Sequence, residues 1–238
     1  MEERRAGPQA QLFTLTLEGS PQSRMHVRPL PDQAVNSLEA GIGIVAAVLA
    51  EGRLQLFGAG DMGIGNTTPS TAIIATYSGM DLDVLTGRGT GIDDEGLARK
   101  KAAIKKGLDT NQPDPADALD VLAKVGGFEI GGIAGIVIGA AAQGIPVVCD
   151  GLIATAGALI ACQLAPKARD YLFASHNSVE TGHRFMLAHL QLEPLLDLRF
   201  RLGEGTGAAV AMALIDAATR VLADIKAFEE VAIADAQH

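Results

Sequence analysis

Apolar and polar positions alternate in blocks along this chain. Short apolar runs of strand length end in glycine-rich polar turns, and each turn leads into a longer apolar run of helical length. Leu54 to Phe57 reads as a buried strand. It is followed by Gly58-Ala-Gly60-Asp-Met-Gly63-Ile-Gly65-Asn66-Thr67-Thr68 and then by a helix from about Thr68 to Ser78, with Gly79 as its stop. Upstream, Asp32 caps a helix over 32–51, where Val35, Leu38, Ile42, Val45 and Leu49 have helical spacing. Downstream come helices over 95–108 and 117–124 and an apolar helix ending near Gln143. A strand over 145–149, a helix over 152–162 and a strand over 171–174 follow. A short strand over 195–199 and a helix over 208–222 complete the series.

The unit of strand, polar glycine turn and helix recurs at Gly58, Gly87, Gly151 and Gly203. That recurrence predicts an α/β fold: a three-layer, Rossmann-like parallel sheet flanked by helices, with its polar turns along one edge. Residues 1–30 have no such pattern beyond an alternating run over 12–17, and are expected to form an N-terminal arm beside a single domain over 31–238.

Composition narrows the functional classes. Hydrophobic residues make up 48% of the 238 and aromatics only 4%, so the core is built from Ala, Val, Ile and Leu. The formal charge is −9, which leaves no basic face for nucleic acid. Cys149 and Cys162 sit in apolar surroundings and read as reduced core residues of a cytoplasmic protein. Ile130 to Cys149 is long enough for a membrane span, but Gly144-Ile-Pro146 interrupts it, and no membrane partner is expected.

The turns carry the candidate chemistry. Glycines before a helix start let a ligand approach backbone N–H groups, which suits a phosphate. Gly58, Gly60 and Gly63 also fit the dinucleotide pattern G-x-G-x-x-G, with Asp83 placed as a ribose-binding acid. A charged residue inside the turn, Asp61, fits a pyrophosphate badly. A structural turn without ligand is the further alternative. Arg88, between glycines, is a candidate ligand contact or part of a surface loop. Asp93 and Asp94 suit the helix dipole as caps. Glu129 is the lone charge of a Gly-rich apolar stretch and needs donors, water or a cation; backbone amides at a helix start would satisfy it. Asp150 lies at the carboxyl end of its strand, where ligands of parallel sheets bind. His176, Glu180 and His183 have no standard metal-ligand spacing, so neither a metal nor a cofactor is expected.

Six segments occur in order: Gly60-Asp-Met-Gly-Ile-Gly-Asn-Thr-Thr68, the run from Gly87 to Lys100, Val125-Gly-Gly-Phe-Glu-Ile130, Pro146-Val-Val-Cys-Asp-Gly151, Ala174-Ser-His176 and Arg201-Leu-Gly-Glu-Gly-Thr-Gly-Ala208. Together they resemble the nicotinate-nucleotide–dimethylbenzimidazole phosphoribosyltransferases over roughly residues 30–233. The resemblance implies transfer of the phosphoribosyl group of nicotinate mononucleotide to 5,6-dimethylbenzimidazole, in cobalamin lower-ligand synthesis, by a homodimer. It implies Glu204 as general base, with Asp61 as the acid of the first turn. It places the phosphoribosyl site on Gly63, Gly65, Asn66, Thr67 and Lys100, completed by Ser178, Asp150 and Gly151, with Arg88 beside it. Gly203 lets the flat acceptor approach. Two departures stand out. The family's acid in the first turn is Glu, where this chain has Asp61. The family's longer N-terminal region, which closes much of the acceptor pocket, has no counterpart in residues 1–28. A nucleotide-binding homologue without the acceptor pocket is therefore the alternative reading.

Overall fold

The structure is a computed structural model and describes residues 31–225 except positions 53 and 63. The expected arm over 1–30, its alternating run over 12–17, and Gly63 lie outside the described residues. In chain order the helices are α1 (Pro31–Glu51), α2 (Thr67–Ser78), α3 (Leu82–Leu85), α4 (Asp94–Asn111), α5 (Ala118–Val125), α6 (Phe128–Ala142), α7 (Leu152–Leu164), α8 (Thr181–Leu190) and α9 (Thr206–Asp224). The strands are β1 (Phe57–Ala59), β2 (Val147–Cys149), β3 (Leu172–His176) and β4 (Pro194–Leu196), and a 3-10 segment, Pro166–Tyr171, leads into β3.

The four described strands pair in parallel in the order β1-β2-β3-β4. Side-chain alternation on β2 separates the two faces. Val147 and Cys149 join the larger core with α6 and α7, while Val148 joins Ala208, Ala211 and Met212 of α9 on the opposite face. Helices thus cover both sides of the sheet, as expected of parallel strands. All carboxyl ends point the same way, toward the turns after Ala59, Cys149, His176 and Leu196.

Three of the described strands are shorter than their apolar runs, while β3 extends two residues beyond its run, to His176. The run over 54–57 contributes mainly Phe57, because β1 is defined by its register against Val147, Val148 and Cys149. The run over 195–199 pairs over Pro194–Leu196, with Pro opening an edge strand that needs no N–H there. Helix α1 forms where expected, but its buried side is Ala34, Ser37, Leu38, Gly41, Val45 and Val48, while Val35 and Ile42 face outward. Shape selects that side: a methyl group at Gly41 would lie 2.0 Å from the carbonyl oxygen of Gly132, so α6 packs directly on this stripe. Ile130 to Cys149 is divided between α6 and β2. Two other helices, α1 and α9, are long and apolar enough to cross a membrane by length and composition alone.

Candidate active site

The turn after β1 is closed by its own side chains. Asn66 Nδ2 donates to Asp61 Oδ1 at 2.6 Å and to the Met62 carbonyl at 3.3 Å, which draws Asp61 over the start of α2. Asn66 and Thr67 are buried, and Gly65 is exposed with φ +81°. From α4, Lys100 Nζ donates to Thr67 Oγ1 at 3.0 Å and to the Gly87 carbonyl at 2.8 Å. A buried cation thus stands beside the N-terminus of α2, an arrangement that suits an anion. Burial pushes the Lys100 ammonium down, and the Glu180 carboxylate pulls it back up.

The turn before α9 meets the first turn directly. Glu204 N donates to the Asp61 carbonyl at 2.9 Å. A methyl group at Gly60 would lie 2.2 Å from Gly205 N, so the two turns touch backbone to backbone. This contact also argues against the dinucleotide alternative. The glycine that would let a pyrophosphate approach is occupied by Gly205, and Asp83 is ion-paired with Lys101. Gly203, Glu204 and Gly205 all have positive φ, at 72°, 58° and 78°. A non-glycine residue in that region is strained and must be held by its surroundings. The Glu204 side chain is exposed.

Asp150 supplies much of the hold. It is 2% exposed; its Oδ2 accepts from Gly205 N at 3.1 Å, and its Oδ1 accepts from Gly207 N at 2.8 Å and Ala208 N at 3.3 Å. Its own N–H donates to the Ala59 carbonyl at 2.9 Å. Both carboxylate oxygens of Asp150, expected as a ligand contact, accept from amides at the start of α9. His176 Nε2 lies 3.5 Å from Asp150 Oδ1.

Gly151 and Ser178 adjoin this group, with a methyl at Gly151 lying 3.7 Å from His176 Nε2 and 4.0 Å from Ser178 Oγ. Arg88 turns away from it. Its guanidinium donates to the Ile92 carbonyl at 2.9 Å and pairs with Asp94, bracing its own exposed loop. Asp93, expected as a cap, accepts from Gly96 N at 2.7 Å. His183 uses both ring nitrogens within the protein, Nε2 at 2.9 Å from Thr155 Oγ1 and Nδ1 accepting from Ser178 N at 3.1 Å. Among the described residues, no group of three His, Cys, Asp or Glu could hold a metal ion.

The neighbours of two acids emerge only in three dimensions. Glu129 sits in the first turn of α6 with its carboxylate folded over Gly127, so that a methyl there would lie 2.3 Å from Oε1. Burial raises its pKa, the charge of Asp61 raises it further, and burial raises Asp61 as well. Glu180, a lone acid before α8, lies against Gly87. Neither neighbour relationship has a local sequence signal, because each partner is supplied by another turn.

Comparisons with known proteins agree with this fold. A family model described as Phosphoribosyltransferase matches residues 30–233. The chain is 56% identical over 207 residues to a Geobacter sulfurreducens protein and 58% identical over 206 residues to one from Syntrophobacter fumaroxidans. Both are named nicotinate-nucleotide–dimethylbenzimidazole phosphoribosyltransferase, and the matches cover 87% and 86% of this chain but 58% of each relative. The chain thus spans less than two thirds of the length of the curated relatives it matches. The crystal structure of CobT from Thermus thermophilus superposes with a TM-score of 0.80 at 46% identity, covering 85% of this chain and 61% of that one. On the matched residues and the shared architecture, the chain belongs to this phosphoribosyltransferase family.

Proposed function

We propose that this protein transfers the phosphoribosyl group of nicotinate mononucleotide to 5,6-dimethylbenzimidazole or a similar base, giving α-ribazole 5′-phosphate and nicotinate. The observation that carries the reading is the contact of two turns. One leads into the start of α2, where buried Lys100 of α4 reaches Thr67; the other carries the exposed Glu204, whose N–H lies 2.9 Å from the Asp61 carbonyl. In the mononucleotide the nicotinate ring nitrogen is cationic, so it leaves as a neutral ring nitrogen with the bonding pair of the glycosidic bond. A benzimidazole nitrogen attacks the ribose C1 from the opposite side, and the N–H proton of the acceptor passes to the Glu204 carboxylate. Asn66, Thr67 and Lys100, with Gly63, Gly65, Gly151 and Ser178, would hold the phosphoribosyl group, and Gly203 would admit the flat ring.

We also expect a homodimer in the cytoplasm, with no cofactor and with neither nucleic acid nor membrane as partner. The dimer is supported by Val210, Leu214 and Val221, which are exposed along one side of α9. The compartment is supported by two free thiols, Cys149 and Cys162, which burial pushes up to about 12 and about 11.

The test is nicotinate release from nicotinate mononucleotide, with and without 5,6-dimethylbenzimidazole, followed by chromatography. Acceptor-dependent release with α-ribazole phosphate is the expected result. Mononucleotide binding without release would replace this reading with that of a nucleotide-binding homologue.

A further inference from the structure

Glu180 is 9% exposed, and its Oε2 is buried without a hydrogen-bond partner. A buried carboxylate oxygen with no donor requires a compensating charge or a task. It lies against backbone: a methyl group at Gly87 would sit 2.2 Å from this oxygen. The carbonyl of that same Gly87 accepts from Lys100 Nζ at 2.8 Å. Thr86 Oγ1, one residue earlier, is also buried and unpartnered.

The other charges around Lys100 are engaged elsewhere. Helix α2 offers the Thr67 hydroxyl and, at its far end, Tyr77. Arg88 of the 86–91 loop pairs with exposed Asp94, and Asp83 of α3 pairs with Lys101. On α4 itself Arg99 pairs with Glu95, Lys105 pairs with Asp109, and Asp93 caps the helix. Asp120 and Lys124 of α5 pair with each other, and Asp117 caps that helix. From α8, His183 faces Thr155. Glu180 alone among these is both buried and charged toward Lys100.

We propose that Glu180 is a positioning residue for Lys100: from the other side of Gly87 its buried carboxylate favours the charged ammonium, which Thr67 Oγ1 and the Gly87 carbonyl hold where it would meet the phosphate of the mononucleotide. The identity of that ligand rests on the function proposed above; the pairing of Glu180 with Lys100 does not. The arrangement also requires glycine at position 87, since a side chain there would displace the carboxylate.

The experiment is carbon-13 NMR titration of the lysine Cε signals in the full chain, with Lys100→Arg assigning the Lys100 signal. In Glu180→Gln the Lys100 midpoint falls by about one pH unit, a roughly tenfold loss of proton affinity. Mononucleotide affinity then declines from a correspondingly lower pH than in the unmodified chain. Gly87→Ala reaches the same contact from the other side and lowers the midpoint without changing any charge. If Glu180→Gln does not fold, Gly87→Ala carries the test. An unchanged midpoint in either folded variant overturns the proposal. A lowered midpoint in a chain that binds no mononucleotide would support the pairing and reject the phosphoribosyl reading instead.

Discussion

The backbone N–H of Glu204 donates to the carbonyl oxygen of Asp61 at 2.9 Å, across a sequence separation that no local pattern reports. The bond joins the turn before α2 to the turn that carries Glu204. In the proposed reaction this bond would fix the distance between the phosphoribosyl group and the base, and the Glu204 side chain is exposed.

Glu204→Gln keeps the size of the side chain and removes the proton acceptor. Turnover in the nicotinate-release assay should fall by roughly 100- to 10,000-fold. Mononucleotide affinity, measured by titration calorimetry, should hardly change. Equal turnover in the variant would remove Glu204 from the role of base.

Gly60 and Gly65 separate close approach from backbone strain. Alanine at Gly60 would meet Gly205 N at 2.2 Å, backbone that cannot yield without moving the Glu204 turn. Its stability cost should be about 1–3 kcal/mol, and each ~1 Å of turn displacement should lower turnover by roughly 100-fold. Gly65 has φ +81° with nothing within 4 Å, so alanine there should cost about 1 kcal/mol in thermal melts through conformation alone.

Asp150→Asn should act on Glu204 from a distance. The substitution removes one acceptor oxygen and the charge from a site that satisfies the amides of Gly205, Gly207 and Ala208. Urea unfolding should show a loss of about 1–3 kcal/mol. Turnover should fall in parallel while the pH profile keeps its shape, because Asp150 holds the turn without exchanging a proton with the substrate.

His183 should make stability depend on pH. Burial above all, with the neighbouring His176 adding to it and Asp150 opposing, pushes its pKa from 6.5 down to about 3. The unfolded chain then binds the extra proton between those values, so stability rises with pH across that window and is lost as pH falls through it. Between pH 6.5 and pH 5 the loss attributable to His183 should be about 2 kcal/mol. Asp61 and Glu129, whose folded values are raised, act in the opposite sense above their unfolded values of 3.8 and 4.5. Comparison with His183→Gln isolates the histidine: the difference between the two denaturation curves should shrink steadily as the pH is lowered.

The alternation of apolar runs with glycine turns points to the α/β class and to most of the order of elements, because each signal lies within a few neighbouring residues; α3 and α8 are not legible, and α3 stands before Gly87 where the repeated unit calls for a strand. The caps at Asp93 and Gly79 are local in the same way. The chemistry-bearing segments could be identified because glycine, Asn, Thr, Lys and Glu cluster where a turn must expose backbone. Strand limits could not, since Phe57 to Ala59 are set by pairing with Val147 to Cys149 far along the chain. Nor could the buried side of α1, where the small Gly41 outranks Val35 and Ile42 once α6 is in place. Tertiary structure also decided the partners of the polar residues. Asp150 accepts from three amides, Arg88 braces its own loop, and Glu180 lies against Gly87. A residue's type says what it can bond; only the fold says which partner lies within about 3 Å, and a buried donor or acceptor must take the partner it is given.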